Sequence, residues 1–170
     1  NEDISLSLNS KKKESRRLTE IKLKFPNSNL FAELNLSDTE KNKDVIKGNI
    51  LIKKKKNKVT AIFDYKENIL TINKSNIRNA FADGKLEGKI NFLPFFNFDL
   101  DINLSSLNFT SLYNQFLTLN KTDKTKLFKI NNKVNGKVNL SSEKIYSKHN
   151  LVKSFESRLK FSNGNINIEQ

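Results

Sequence analysis

Apolar and polar positions alternate along most of this chain, and the clearest run lies between Leu86 and Leu104. Leu86, Ile90, Phe92, Phe96, Phe98, Leu100, Ile102 and Leu104 occupy even positions. Lys85, Glu87, Lys89, Asn91, Asn97, Asp99, Asp101 and Asn103 stand between them. A strand sends successive side chains to opposite faces, so this segment predicts one apolar face and one wet face. Pro94 brings no N–H to a ladder, which predicts a break that splits 86–104 into two strands.

The same period recurs on either side. Ile4, Leu6 and Leu8 alternate before a charged stretch, "NSKKKESRR", read as a loop. Ile21, Leu23 and Phe25 lead to a turn at Pro26–Asn29, after which Leu30, Ala32, Leu34 and Leu36 resume the alternation. "SDTEKNKD" reads as the next loop. Ile46, Gly48, Ile50 and Ile52 run into Lys53–Lys56, and Val59, Ala61, Phe63 and Tyr65 return, which predicts a hairpin with a basic tip. Lys66-Glu67-Asn68 is a tight turn before Leu70 and Ile72.

Val134, Gly136, Val138 and Leu140 alternate again, as do Phe155, Leu159 and Phe161. Asn163-Gly164 then joins them to Ile166 and Ile168, and Asn-Gly between alternating runs predicts a hairpin turn with both central residues at positive φ. One stretch breaks the period. In "NFTSLYNQFLTL" Leu112 and Phe116 are four apart, as are Tyr113 and Leu117. That spacing, with Asn108 or Thr110 as cap, predicts a short helix over about 110–118. Residues 120–133 read as polar loop. The fold class that follows is all-β: an antiparallel curved sheet, open and partly barrel-like, with one short α-helix.

Composition sharpens this picture. The 170 residues are 36% hydrophobic, and mean hydropathy is −0.61. So little apolar material, so regularly spaced, suits a sheet with one greasy face better than a closed core or a disordered chain. Residues 1–170 read as one unit, a segment of a longer protein, since no Met opens it and Ile166–Gln170 still has the strand pattern.

The net charge is +13, which admits an anionic partner. Arg stands only at 16, 17, 78 and 158, so nearly all the cations are Lys. Specific phosphate recognition favours the Arg fork, and a solvated Lys-rich face with no nucleic-acid partner is the preferred reading. No run reaches the ~18 apolar residues of a membrane-spanning helix. An outer-membrane barrel is disfavoured by the Lys-heavy wet face and the absence of aromatic girdles.

Candidate chemistry is sparse. There is no Cys, hence no disulfide or thiolate metal site, and His149 is the single His, in the polar stretch "SKHN". Asp99 and Asp101 form a D-x-D pair with Asp83 upstream, the residue type a hard cation would use. Asn97 and Asn103 continue the same side, so these carboxylates read as the wet face of a strand. Asn-x-Ser/Thr triplets begin at Asn35, Asn103, Asn108, Asn120 and Asn139, as chance supplies in so Asn-rich a chain. No glycine-rich phosphate loop occurs. No catalytic residue, metal site or cofactor is expected, and the chain does not read as an enzyme.

Two stretches carry a family pattern. Gly88-Lys89-Ile90-Asn91-Phe92 leads to the amphipathic strand Phe96–Leu104 and then to Leu107-Asn108-Phe109 ahead of the helix. The C-terminal "SFESRLKFSNGNINIEQ" is a second amphipathic pair around Asn-Gly. Over 70–118 and 151–170 the chain resembles the AsmA-like family of Gram-negative envelope proteins (AsmA/TamB/YhdP type). Asn108 stands where an Asp is usual in that family; over 1–66 the likeness is one of style.

The resemblance implies a long antiparallel sheet curled into a groove, in the periplasm, held to the inner membrane by an anchor outside these residues. It implies handling of phospholipid acyl chains in outer-membrane assembly and maintenance. The lining it implies is Leu86, Ile90, Phe92, Phe96, Phe98, Leu100, Ile102 and Leu104, with Leu159, Phe161, Ile166 and Ile168. Phe dominates the aromatics, with 13 Phe, 3 Tyr and no Trp. A Phe-rich wall has no polar tips, and hydrocarbon needs none. The alternative is a structural β-rich scaffold or interaction domain with a closed core and no ligand. Oligomeric state is open.

Overall fold

The computed structural model describes residues 3–13, 16–39, 42–123, 130–148 and 152–169. Successive hairpins build the sheet. In chain order the strands are β1 (Ser5–Lys13), β2 (Arg16–Phe25), β3 (Leu30–Thr39), β4 (Asn42–Lys54), β5 (Asn57–Lys66), β6 (Ile69–Arg78), β7 (Ala82–Asn91) and β8 (Asn97–Asn108). Helix α1 (Phe109–Thr118) follows, then β9 (Asn135–Ser142), β10 (Ile145–Tyr146), β11 (Phe155–Ser162) and β12 (Asn165–Glu169). Each strand from β1 to β8 pairs with the next, and the order continues β8-β9-β11-β12. The short β10 pairs with β8 off this path. The sheet is open, not closed into a barrel, and mostly antiparallel.

Turn chemistry explains the hairpins. Glu67 and Asn68 have φ of 49° and 67°, and Asn163 and Gly164 have 51° and 77°. Two positive-φ residues match the right-handed twist of the flanking strands. The Pro26–Asn29 turn closes through Asn29 N–H donating to the Pro26 carbonyl at 3.2 Å. The chain breaks around Pro94, between β7 and β8, as expected.

Two expectations need correction. "NSKKKESRR" is mostly strand, because β1 runs to Lys13 and β2 begins at Arg16. "SDTEKNKD" is likewise shortened, with β3 ending at Thr39 and β4 starting at Asn42. Lys and Asp side chains are well solvated beside a hairpin tip, so charge alone does not end a strand. Within the mostly antiparallel sheet two pairings run parallel. β9 lies parallel to β8, with Phe98 opposite Gly136 and Ile102 opposite Leu140, and β10 is parallel to β8 as well. A parallel neighbour needs a crossover, and α1 with the segment after it supplies one.

The helix matches its expected range. Asn108 is its N-cap: its side-chain oxygen accepts from Ser111 N–H at 2.9 Å. Thr110 does other work, its hydroxyl oxygen accepting from Lys148 N–H at 2.9 Å and tying the helix to the segment beyond β10. Of the stretch 120–133, residues 121–123 are helical, and 124–129 lie outside the described residues.

Candidate functional site

Register gathers the apolar residues into rows that cross the sheet. One row runs Leu6, Leu23, Ala32, Ile52, Val59, Ile77, Gly84 and Leu104. Another runs Leu36, Gly48, Phe63, Ile72, Gly88, Leu100, Val138, Leu159 and Ile168. A third, nearer the β7–β8 loop, runs Tyr65, Leu70, Ile90, Phe98, Gly136, Phe161 and Ile166. Opposite partners share a face, so these rows form one apolar surface across the eleven strands of the main path. At ~4.8 Å per strand that surface spans ~48 Å in the hydrogen-bonding direction.

Two bulges keep it continuous. Pairing shifts between Ile62 and Phe63 against β6, so Ser75 and Ile77 rejoin the face that Ile72 occupies. A second shift, at Ser105 in β8, brings Leu107 to the side of Leu104. An extra residue on one strand reverses the phase of alternation, which a strict period-2 reading cannot follow. Ser75 sits among the apolar residues and is buried, with its hydroxyl accepting from Leu86 N–H at 2.6 Å.

Glycines shape the same face. Gly88 has φ +134° and Gly136 has φ +153°, in the region that L side chains rarely adopt. A Cβ on Gly136 would lie 2.6 Å from the Phe98 ring. The ring occupies that gap and reaches Phe161, two strands away, edge-on at 5.3 Å between centroids. Next-nearest strands in a sheet are ~9.6 Å apart, so the two rings lean together over the glycine. At Gly48 the Phe63 ring fills the equivalent gap, with a Cβ there 2.7 Å from one ring carbon.

No second layer covers this face among the described residues. Ile72, Leu104 and Val138 are the buried hydrophobic side chains, and each lies on it. The accessible surface is 12848 Å². A compact monomer of this mass exposes ~8,600 Å². The excess is what an uncovered single-layer sheet produces. Most of the apolar rows are therefore half-buried, sheltered by one another and by the neighbouring strands.

The twelve positions singled out from the sequence divide simply. Leu86, Ile90, Phe98, Leu100, Ile102, Leu104, Leu159, Phe161, Ile166 and Ile168 stand on this one face. Phe92 and Phe96 flank it in the β7–β8 loop and join it through ring contacts, Tyr65–Phe92 at 6.4 Å, Phe92–Phe96 at 6.2 Å and Phe96–Phe98 at 6.0 Å.

A concavity closes one end of the apolar face. It has a volume of about 870 Å³ and lies between Leu104, Leu140 and Phe155 on the sheet, Leu112 and Tyr113 on α1, and Ile145 and Val152 beyond. Sequence reading places the helix but not this pocket. The four-residue spacing of Leu112 and Phe116 marks an apolar helix face; only the parallel return of β9 and β10 shows what it meets.

The polar face carries ordinary surface chemistry. Asp99 is in register with Lys89 on one side and Lys137 on the other. Asp101 accepts from Asn139 Nδ2 at 2.7 Å. Among the described residues no group of three or more His, Asp or Glu is placed to hold a metal ion. His149 lies outside the described residues. Lys22 and Glu20 pair at 2.7 Å, and the hydrogen bond holds the Glu20 carboxyl below its usual range and the Lys22 ammonium above its own. No described helix is long and apolar enough to cross a membrane.

Compared with protein-family models, curated proteins and solved structures, the chain finds no match.

Proposed function

We propose that this chain is a non-enzymatic, lipid-handling segment of an AsmA-like envelope protein, and that its uncovered apolar face shelters phospholipid acyl chains. The observation that carries the reading is the face itself: register-aligned apolar rows over eleven strands with no second layer above them among the described residues. Water over such a surface is costly, at ~25 cal/mol per Å² of apolar area, and hydrocarbon relieves it at ~0.8 kcal/mol per buried CH₂. Phe, Leu and Ile offer no hydrogen bonds, so the face selects methylenes and leaves head groups to water. The likeness of residues 70–118 and 151–170 to the AsmA-like pattern supports the same reading. On it, the segment works in the periplasm, tethered to the inner membrane by an anchor elsewhere, in outer-membrane assembly and maintenance.

A scaffold with a closed core would need a covering layer. The exposed area and the three buried apolar side chains speak for the open alternative. The test is extraction of the purified chain followed by mass spectrometry. Phospholipid should co-purify, and Phe98→Asp or Ile102→Asp should lower its amount by about tenfold or more, since each removes an apolar contact worth ~1.5–3 kcal/mol. Thr60→Asp, on the polar face, should leave it unchanged. Lipid-free protein that also takes up no phospholipid from micelles would refute the proposal.

A further inference from the structure

We propose, resting on the acyl-chain reading above, that the concavity between α1 and the sheet seats a single acyl chain, and that α1 packs on that chain in place of a protein core. The seat has protein on two sides, where the rest of the apolar face is open.

Helix α1 is built to pack on something. Phe109, Leu112, Tyr113 and Phe116 fall at i, i+3, i+4 and i+7, an apolar stripe along one side of its ten residues. A helix this short is marginal in water unless such a stripe is packed. Yet α1 buries none of its residues, and Phe109 and Leu112 are 50% and 42% exposed. Both line the concavity, and the sheet residues that line it with them, Leu104, Leu140 and Phe155, are apolar too. Two apolar walls are thus held apart by about 870 Å³. The Thr110 hydroxyl, accepting from Lys148 N–H, fixes the first turn of α1 at that separation.

The chemistry of the walls identifies the occupant. Main-chain groups there are already engaged: Leu107 N–H donates to the Lys144 carbonyl at 2.8 Å, and Ile145 N–H to the Lys153 carbonyl at 2.9 Å. A peptide or a sugar would strip water from polar groups that find few partners in return, a cost that hydrocarbon does not incur. The volume is that of a site for one small ligand. Leu104, Leu140 and Phe155 also stand on the apolar face, so a chain lying along the sheet can extend into the concavity. Lys148 is the one charged residue of the wall among the described residues, and no carboxylate there opposes the head of a fatty acid.

The test is hydrogen exchange of the 170-residue chain with and without palmitate, alongside methyl NMR with a nitroxide-labelled fatty acid. Palmitate at ten times its Kd should slow exchange of the α1 amides by about tenfold, since the helix then opens only from the ligand-free fraction. The label should broaden Leu112 and Ile145. Leu112→Asp on the helix, and Val152→Asp on the wall outside it, should each abolish the slowing and leave β8 amides protected. The second variant separates a lost seat from a damaged helix. Gln115→Glu, exposed and off the wall, should keep the slowing. Unchanged α1 exchange with palmitate, α1 amides in the free chain as protected as those of β8, or slowing that survives in Val152→Asp would overturn the proposal. Broadening of Leu34 and Ile50 without Leu112 and Ile145 would sink this seat and uphold the wider acyl-chain reading. Slowing at α1 with Leu34 and Ile50 left sharp would uphold the seat and sink the wider reading.

Discussion

Gly136 carries the apolar face past a point where any side chain would collide. Its φ of +153° and the Phe98 ring over its Cα leave no room for a methyl group. Gly136→Ala should therefore destabilise the sheet by about 1–3 kcal/mol, combining overpacking with an unfavourable backbone conformation. Ser157→Ala, on the same face two strands from Ile102, should change stability by less than ~0.5 kcal/mol. Urea unfolding of the two variants checks this, and equal midpoints would show that the Phe98 ring and its backbone carbonyl both give way. Alternation told which side Gly136 faces. It could not tell that Phe98 fills the gap, because the two residues meet only after a 38-residue excursion through α1.

At the scale of elements, local rules carried most of the fold. Asn163-Gly164 and Glu67-Asn68 form their turns, Pro94 falls in a break, and α1 runs over the stretch where Leu112 and Phe116 repeat at four residues. Elements set by distant partners were not legible. The parallel pairing of β8 with β9 depends on where a crossover lands, and β10 is two residues long and exists only beside Leu107 and Asn108. Bulges at Asn73 and Ser105 also hide, since each looks like a lapse in alternation. Helix α1 depends on its cap. It buries none of its residues, so little tertiary packing supplements the bond from Asn108 to Ser111 N–H. Asn108→Ala should cost α1 about 1 kcal/mol. Hydrogen exchange should show faster exchange at Ser111 with β8 amides protected as before; protection lost equally along β8 would mean that the helix and sheet open as one unit.

For the whole molecule, the issue is what stands over the apolar face. A sheet of this kind is stable without a second layer only if its rows shelter one another, and the aligned rows, filled glycine gaps and leaning Phe98 and Phe161 rings do that in part. The remaining exposure is the feature that the acyl-chain reading uses. Exposure alone is not enough: Leu18 and Ile62 are 43% and 51% exposed, yet they stand on the polar face among Lys11, Glu20 and Asn49. The sequence pattern distinguishes the faces well. It leaves open whether protein or lipid completes the apolar one, because both would be met by the same Phe, Leu and Ile.

The most direct measurement is methyl NMR of the chain with a fatty acid that carries a nitroxide near its terminal methyl. The account predicts strong broadening of Leu34, Ile50, Ile102 and Leu140, with Leu18 and Ile62 left sharp despite their exposure. Equal broadening of both sets, or no broadening at Ile102 and Leu140, would contradict it.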